Sequence, residues 1–191
     1  MGTRGFIGFV VDGTEKIVYN HFDSYPSGLG VEVLSWLRDE VVEVNEVREL
    51  ASALRVVTDN DIPSPEDIDR LKAYYNPGVG RPAESPTWYQ LLRETQGNPG
   101  AILEAGVIED ASGFPADSLF AEWGYVVDLD EYRFEVYEGF QQSPHTKGRF
   151  ASSSRQHSSY YPVALVGYWP LDSLPTDAEF IATVDPVEDE G

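Results

Sequence analysis

The sequence predicts an α+β fold in which antiparallel β-hairpins carry helices packed on them. Two β-rich pairs, at residues 3–22 and 123–138, each fold about an Asp-containing turn. Between them, apolar residues recur at three- and four-residue steps in stretches punctuated by Pro and Gly. The chain has 191 residues, 41% of them hydrophobic and 13% aromatic, which is enough for one sizeable core. A single domain over residues 1–185 is expected, followed by an acidic, frayed tail at 186–191.

The elements follow in order. Residues 3–11 and 16–22 are β-rich, and Asp12-Gly13 between them is a strong hairpin signal. Gly5 and Gly8 inside the first strand point to close approach by a neighbouring backbone or side chain. After Pro26-Ser27-Gly28, Leu29, Val33, Leu34, Trp36, Leu37, Val41 and Val44 form a helical stripe, and residues 46–57 continue in the same style. Ser64-Pro65-Glu66-Asp67 has the cap, the N1 proline and the first-turn acids of a helix start, with the helix ending by Asn76-Pro77-Gly78. Ser85-Pro86-Thr87 opens a helix to about Gln96. Asn98-Pro99-Gly100 precedes a short one that Gly106 caps. In the second hairpin Tyr132, Phe134 and Val136 alternate with Arg133, Glu135 and Tyr137, so one face is buried and the other wet. Residues 163–169 are nearly all apolar, which suits an interior strand.

Thirteen Lys and Arg against thirty-three Asp and Glu leave a formal charge of −20. Such a surface repels nucleic-acid phosphates and anionic membranes. It keeps a protein solvated, or it faces a partner with a basic surface. There are no cysteines, hence no thiolate nucleophile or Cys-type zinc site. No long apolar run or leader pattern points to a membrane or to secretion, so a cytoplasmic setting is expected. No cofactor or metal is expected either. Gly78-Val79-Gly80 lacks the frame of a phosphate loop, Asp59-Asn60-Asp61 lacks the glycine and glutamate of an EF-hand, and the three histidines are scattered. The sequence leaves the oligomeric state open.

Residues 141–157 break the charge rule: they hold no Asp or Glu, but do hold Lys147, Arg149 and Arg155 among serines. This stretch reads as a flexible surface loop or as an arm that binds an anion through Arg and Ser donors. The candidate site lies where the first hairpin ends. His21, Asp23 and Tyr25 alternate and share a side if the chain stays extended, and Tyr19, Thr3 and Arg4 join them by cross-strand pairing. A histidine beside a carboxylate is an acid–base pair, because the carboxylate fixes its tautomer and raises its pKa. The ligand-binding candidates are therefore Arg4, Tyr19, His21, Asp23, Tyr25, Lys147, Arg149 and Arg155. The catalytic candidates are Thr3, His21 and Asp23.

Thr3-Arg4-Gly5-x-x-Gly8, the Asp12-Gly13 turn and the Tyr19-Asn20-His21-Phe22-Asp23-Ser24-Tyr25-Pro26 run resemble a group of phage and actinobacterial proteins that has no assigned activity. That group shares the Thr-Arg start and the Tyr-x-His-x-Asp-x-Tyr-Pro stretch, and the resemblance spans about a third of the chain. The order of elements also resembles, more loosely, the N-terminal nucleophile hydrolases. That likeness implies an αββα sandwich with a nucleophile on the first strand and an Asp near the end of the second. Here Gly2 follows Met1 and carries no nucleophile, and Thr3 becomes terminal only after an additional cleavage. The expected function is a non-enzymatic binding protein of phage or mobile-element origin, acting on a host protein or sequestering a small polar ligand. The rivals are an amide hydrolase using Thr3 or a water activated by His21 and Asp23, and an acidic, DNA-mimicking inhibitor of a basic partner.

Overall fold

The computed structural model describes residues 2–39 and 43–186; the stripe residue Val41 and the tail beyond Pro186 lie outside the described residues. The opening hairpin pairs β1 (Gly5–Val11) with β2 (Thr14–Asn20), Gly5 opposite Asn20 and Val11 opposite Thr14. Its turn residues Asp12 and Gly13 have φ of 51° and 72°, the positive pair that matches a tight hairpin to the twist of its strands. The Asp130 carboxylate accepts from both turn amides, at 3.0 and 2.8 Å.

Farther along the chain come α1 (Val31–Asp39), α2 (Val44–Ala53), β3 (Arg55–Val57), α3 (Pro65–Arg70), α4 (Trp88–Leu91), α5 (Pro99–Ala105) and β4 (Val107–Glu109). The second hairpin joins β5 (Trp123–Asp128) to β6 (Arg133–Glu138), with β7 (Ala164–Pro170) and α6 (Asp177–Val184) completing the order. The main sheet runs β2-β1-β5-β6-β7. The α+β class is as expected, with one addition: the hairpins meet through a parallel pair, β1 beside β5. The connection over residues 21–122 brings the chain back to the end of the sheet where β1 begins, so β5 starts in the same direction.

One face of the sheet is covered by helices. Ile7, Phe9, Val18, Tyr125, Val127, Phe134 and Val136 pack with Leu34, Leu37, Ile102 and Phe180 in the largest core cluster. Lys16, on this face, donates to the carbonyls of Ala51, Ser52 and Leu54 at 2.8–2.9 Å and so closes the end of α2. The other face, with Phe6, Val10, Ile17, Val126 and Tyr137, packs against Ala121, Phe150 and Val163 from loops. A third cluster of Val57, Leu71, Trp88, Leu91, Leu92, Ala105 and Val107 is built from the elements between the hairpins.

Several expectations are corrected. Among the described residues no second sheet stacks on the first, as an αββα sandwich requires. The parallel ribbon β3–β4 lies beyond the outer edge of β2, where the Ala111 amide donates to the Ile17 carbonyl at 3.1 Å. Residues 46–57 are not one helix: the chain leaves α2 at Leu54 and becomes β3. The helix from Ser64 stops at Arg70, although its capping box with Asp67 is as expected. β7 is an edge strand, not an interior one. Its apolar residues are used by α6, where Trp169 lies 5.5 Å from Phe180 between ring centroids.

Candidate functional site

The segment after β2 is held from beneath. The Asn20 side-chain amide donates to the Phe22 carbonyl and to the Ser24 hydroxyl at 2.6 and 2.8 Å. The Ser24 amide donates to the Thr3 carbonyl, and the buried Tyr125 hydroxyl to the Ser24 carbonyl at 2.8 Å. Gly5 is required here, because a Cβ would sit 2.6 Å from Ser24 Cβ and 2.3 Å from the Trp123 oxygen. These bonds hold a bent backbone. β2 ends at Asn20 and Asp23 has a φ of 54°, so the alternation that would align His21, Asp23 and Tyr25 is lost.

The predicted residues therefore separate. His21 Nδ1 shares a 2.7 Å hydrogen bond with the Tyr19 hydroxyl, not with Asp23. Burial, with the positive charges of Arg93 and Arg4, pushes the His21 pKa below its ordinary value. That is opposite to the rise expected from a carboxylate partner. Burial likewise raises the Tyr19 pKa against the pull of Arg4 and Arg93. Asp23 is exposed; its backbone carbonyl, not its carboxylate, accepts from the Leu29 amide. Tyr25 is exposed, and Thr3 enters through its backbone carbonyl. Arg4 lies close enough for its charge to act on Tyr19 and His21, with its guanidinium over the Phe120 ring at 5.4 Å.

The loop cations belong elsewhere. Arg149 pairs with Asp128 and Glu135, which are 1% and 0% exposed, and reaches Glu15 at 3.5 Å. Burial favours a neutral Glu135, but hydrogen bonds from Arg149, Tyr137 and Arg133 prevail and hold its carboxyl below the ordinary value. Glu15 lies six strand positions from His21, about 20 Å at strand rise, so Arg149 is not part of the hairpin-end cluster. Lys147 is exposed, and Arg155 lies over the Tyr161 ring at 4.5 Å. The expected arm is anchored over its first half: His145 Nε2 lies 2.8 Å from the Pro162 carbonyl and Phe150 is buried against Phe6 and Tyr137.

A cleft of about 520 Å³ runs along the outer edge of β2. Its walls are Val18 and Tyr19 of β2, the turn Thr58–Asn60 after β3, Tyr89 of α4 with Leu92, Thr95 and Gln96 after it, and β4 with Asp110 and Ala111. Burial, then the charge of Asp59, pushes the Glu109 carboxyl above its ordinary range. Gln96 ties the cleft to the hairpin end, since its Oε1 accepts from the His21 amide at 3.2 Å and from Arg93 at 2.7 Å. Arg93 also donates to the Tyr89 hydroxyl at 3.2 Å and lies over the Phe22 ring at 5.1 Å. A second hollow of about 360 Å³, lined by Asn20, Asp23, Glu32 and Arg93 among others, shares Gln96 with the cleft.

Tyr89, Arg93, Gln96 and Glu109 were not evident as site residues from the sequence. The i, i+4 spacing of Tyr89 and Arg93 is the one local signal that pairs any of them. Among the described residues no group of three or more His, Asp and Glu is placed to hold a metal ion, and no helix is long and apolar enough to cross a membrane. Comparison with family models, curated proteins and solved structures gave no match.

Proposed function

We propose that the protein is a non-enzymatic binding protein that takes a small polar ligand into the cleft along β2. The observation that carries this reading is the cleft itself. Its volume of about 520 Å³ lies within the span of small-molecule sites, roughly 300–1,000 Å³. Its lining joins apolar Val18, Leu92, Val107 and Ile108 to the polar ends of Tyr19, Tyr89, Gln96 and Glu109, the mixture that holds and orients a polar ligand. Binding is favoured over hydrolysis because His21 is bonded to a phenol and Asp23 lines the other hollow. A phage or mobile-element origin rests on the Thr-Arg and Tyr-x-His-x-Asp-x-Tyr-Pro resemblance alone.

Native mass spectrometry of the purified chain, followed by thermal shift with a panel of small polar compounds, tests the proposal. A ligand present at a hundred times its Kd adds about 2.7 kcal/mol, equivalent to a rise in Tm of about 5–10 °C at this size. Thr58→Trp, which fills the cleft mouth, should abolish both retention and the rise. If no compound is retained or shifts Tm, or if Thr58→Trp leaves the shift intact, the cleft is not the binding site.

A further inference from the structure

In a chain of net charge −20, two unpaired arginines beside one histidine form an unusual local concentration of positive charge. Arg38, Arg48, Arg55, Arg133 and Arg149 all pair with carboxylates. Arg4, Arg70, Arg81, Arg93 and Arg155 have no carboxylate at ion-pair distance among the described residues, and of these the guanidiniums of Arg4 and Arg93 lie over the rings of Phe120 and Phe22. Both arginines converge on one place. Carrying the β1–β2 register one step beyond Gly5 and Asn20 sets Arg4 opposite His21, on the sheet face of Phe6 and Tyr19. From the outer edge of β2, Arg93 shares Gln96 Oε1 with the His21 amide. Two guanidiniums around an imidazole repel one another, and the arrangement is favourable once a negative charge lies between them.

We propose that Arg4, His21 and Arg93, with the Tyr19 hydroxyl, bind the oxyanion group (carboxylate or phosphate) of a small ligand. The placement of the rest of that ligand rests on the cleft reading, because Tyr19, Tyr89 and Gln96 both line the cleft and border the cluster. The Tyr19–His21 bond couples the anion to a proton. In the free protein the Tyr19 O–H donates to the unprotonated Nδ1 of a neutral imidazole. On anion binding the imidazole takes one proton from solvent, its Nδ1–H donates to the phenol oxygen, and the Tyr19 O–H turns to the anion. The charges that bear on His21 are those of Arg93, just after α4, and Arg4, just before β1, while Tyr19 of β2 is hydrogen-bonded to it and Tyr89 of α4 acts on Tyr19. Glu122 lies behind Arg4, its carboxylate accepting the Arg4 amide at 3.2 Å.

By linkage, an anion that binds more tightly when His21 is protonated raises the His21 pKa. The test is NMR titration of the His21 ring in the full chain, in chloride, acetate and inorganic phosphate at equal ionic strength. The His21 pKa should be about one unit higher in at least one of the two oxyanions than in chloride, and the arm with the larger shift identifies the group. Arg4→Gln and Arg93→Gln should remove most of that shift and Arg155→Gln none of it. Arg4→Lys and Arg93→Lys, which keep the charge, should retain part. The same His21 pKa in all three salts, or an undiminished shift in Arg93→Gln, would overturn the proposal. Thr58→Trp separates this site from the cleft. A phosphate or acetate shift that survives it supports the anion cluster, even if no small molecule is retained. Neutral ligands retained by a protein whose His21 ignores both anions uphold the cleft and sink the cluster.

Discussion

Arg149 and Arg93 are both cations in a strongly acidic chain, and the fold uses them in opposite ways. Arg149 enters from a loop over the sheet face and is met by Asp128, Glu135 and Glu15. Arg93 leaves a short turn beside the β2 edge and is met by two aromatic rings, a phenol and an amide oxygen. The first neutralises buried carboxylates that would otherwise be costly. The second keeps its charge available. Lys147, Arg149 and Arg155 look alike as an anion-binding set in the sequence. Arg149 is instead part of the core's own ion network, whereas Arg4 and Arg93 keep their guanidiniums unpaired beside the hairpin end.

The largest expected break in this contrast is Arg149→Ala. It leaves the buried Asp128 without a cation and Glu135 with Arg133 and Tyr137 alone, and losing one partner of a buried ion pair costs about 3–5 kcal/mol. Urea unfolding should show that loss, and a change under about 1 kcal/mol would mean the carboxylates find other partners or water. Arg93→Ala removes stacking on Phe22 and Tyr89 and one good hydrogen bond but strands no charge. A loss of about 1 kcal/mol is expected in the same assay. If the two variants cost the same, the distinction between a structural and an available arginine fails.

The smallest effect is one of pH. The folded His21 pKa lies below the unfolded value of 6.5, so below that pH the unfolded chain binds more protons at this position than the folded one. The stability that neutral His21 contributes is therefore fully present above pH 6.5 and is lost as pH falls through the folded pKa. Across that window His21→Gln should show a flatter dependence of unfolding free energy on pH than the parent chain. An equal or steeper slope in the variant would show that neither burial nor the two guanidiniums lower the His21 pKa.

The sequence was legible wherever a local rule operates. Asp12-Gly13 marked the first turn because few residues adopt positive φ in succession. Ser64, Thr87 and Asn98 marked helix starts because their side chains accept the amides a helix leaves unpaired. The site was legible in part. Arg4, Tyr19 and His21 do come together, because Arg4 and His21 continue the paired ends of β1 and β2 on the face that carries Tyr19. Asp23 and Tyr25 do not, because a left-handed residue turns the chain where extended geometry was assumed. Arg93, Gln96 and Glu109 arrive from elements more than seventy residues beyond His21 (His21 and Gln96 are 75 apart), and no local spacing announces such a meeting.

What the sequence determined by itself is the set of local pieces: two hairpins, capped helices, an acidic surface and a basic stretch that stands apart from it. Those follow from φ preferences, caps and the alternation of apolar residues, each acting over a few positions. That the hairpins join through a parallel pair, that β7 is an edge, and which arginines remain unpaired depend on contacts between distant segments. Pairing depends on which carboxylates lie within a few ångströms, and burial on what else covers the same face. Both are properties of chain segments far apart in sequence, so the function of the opening hairpin's end is set by residues that the hairpin does not contain.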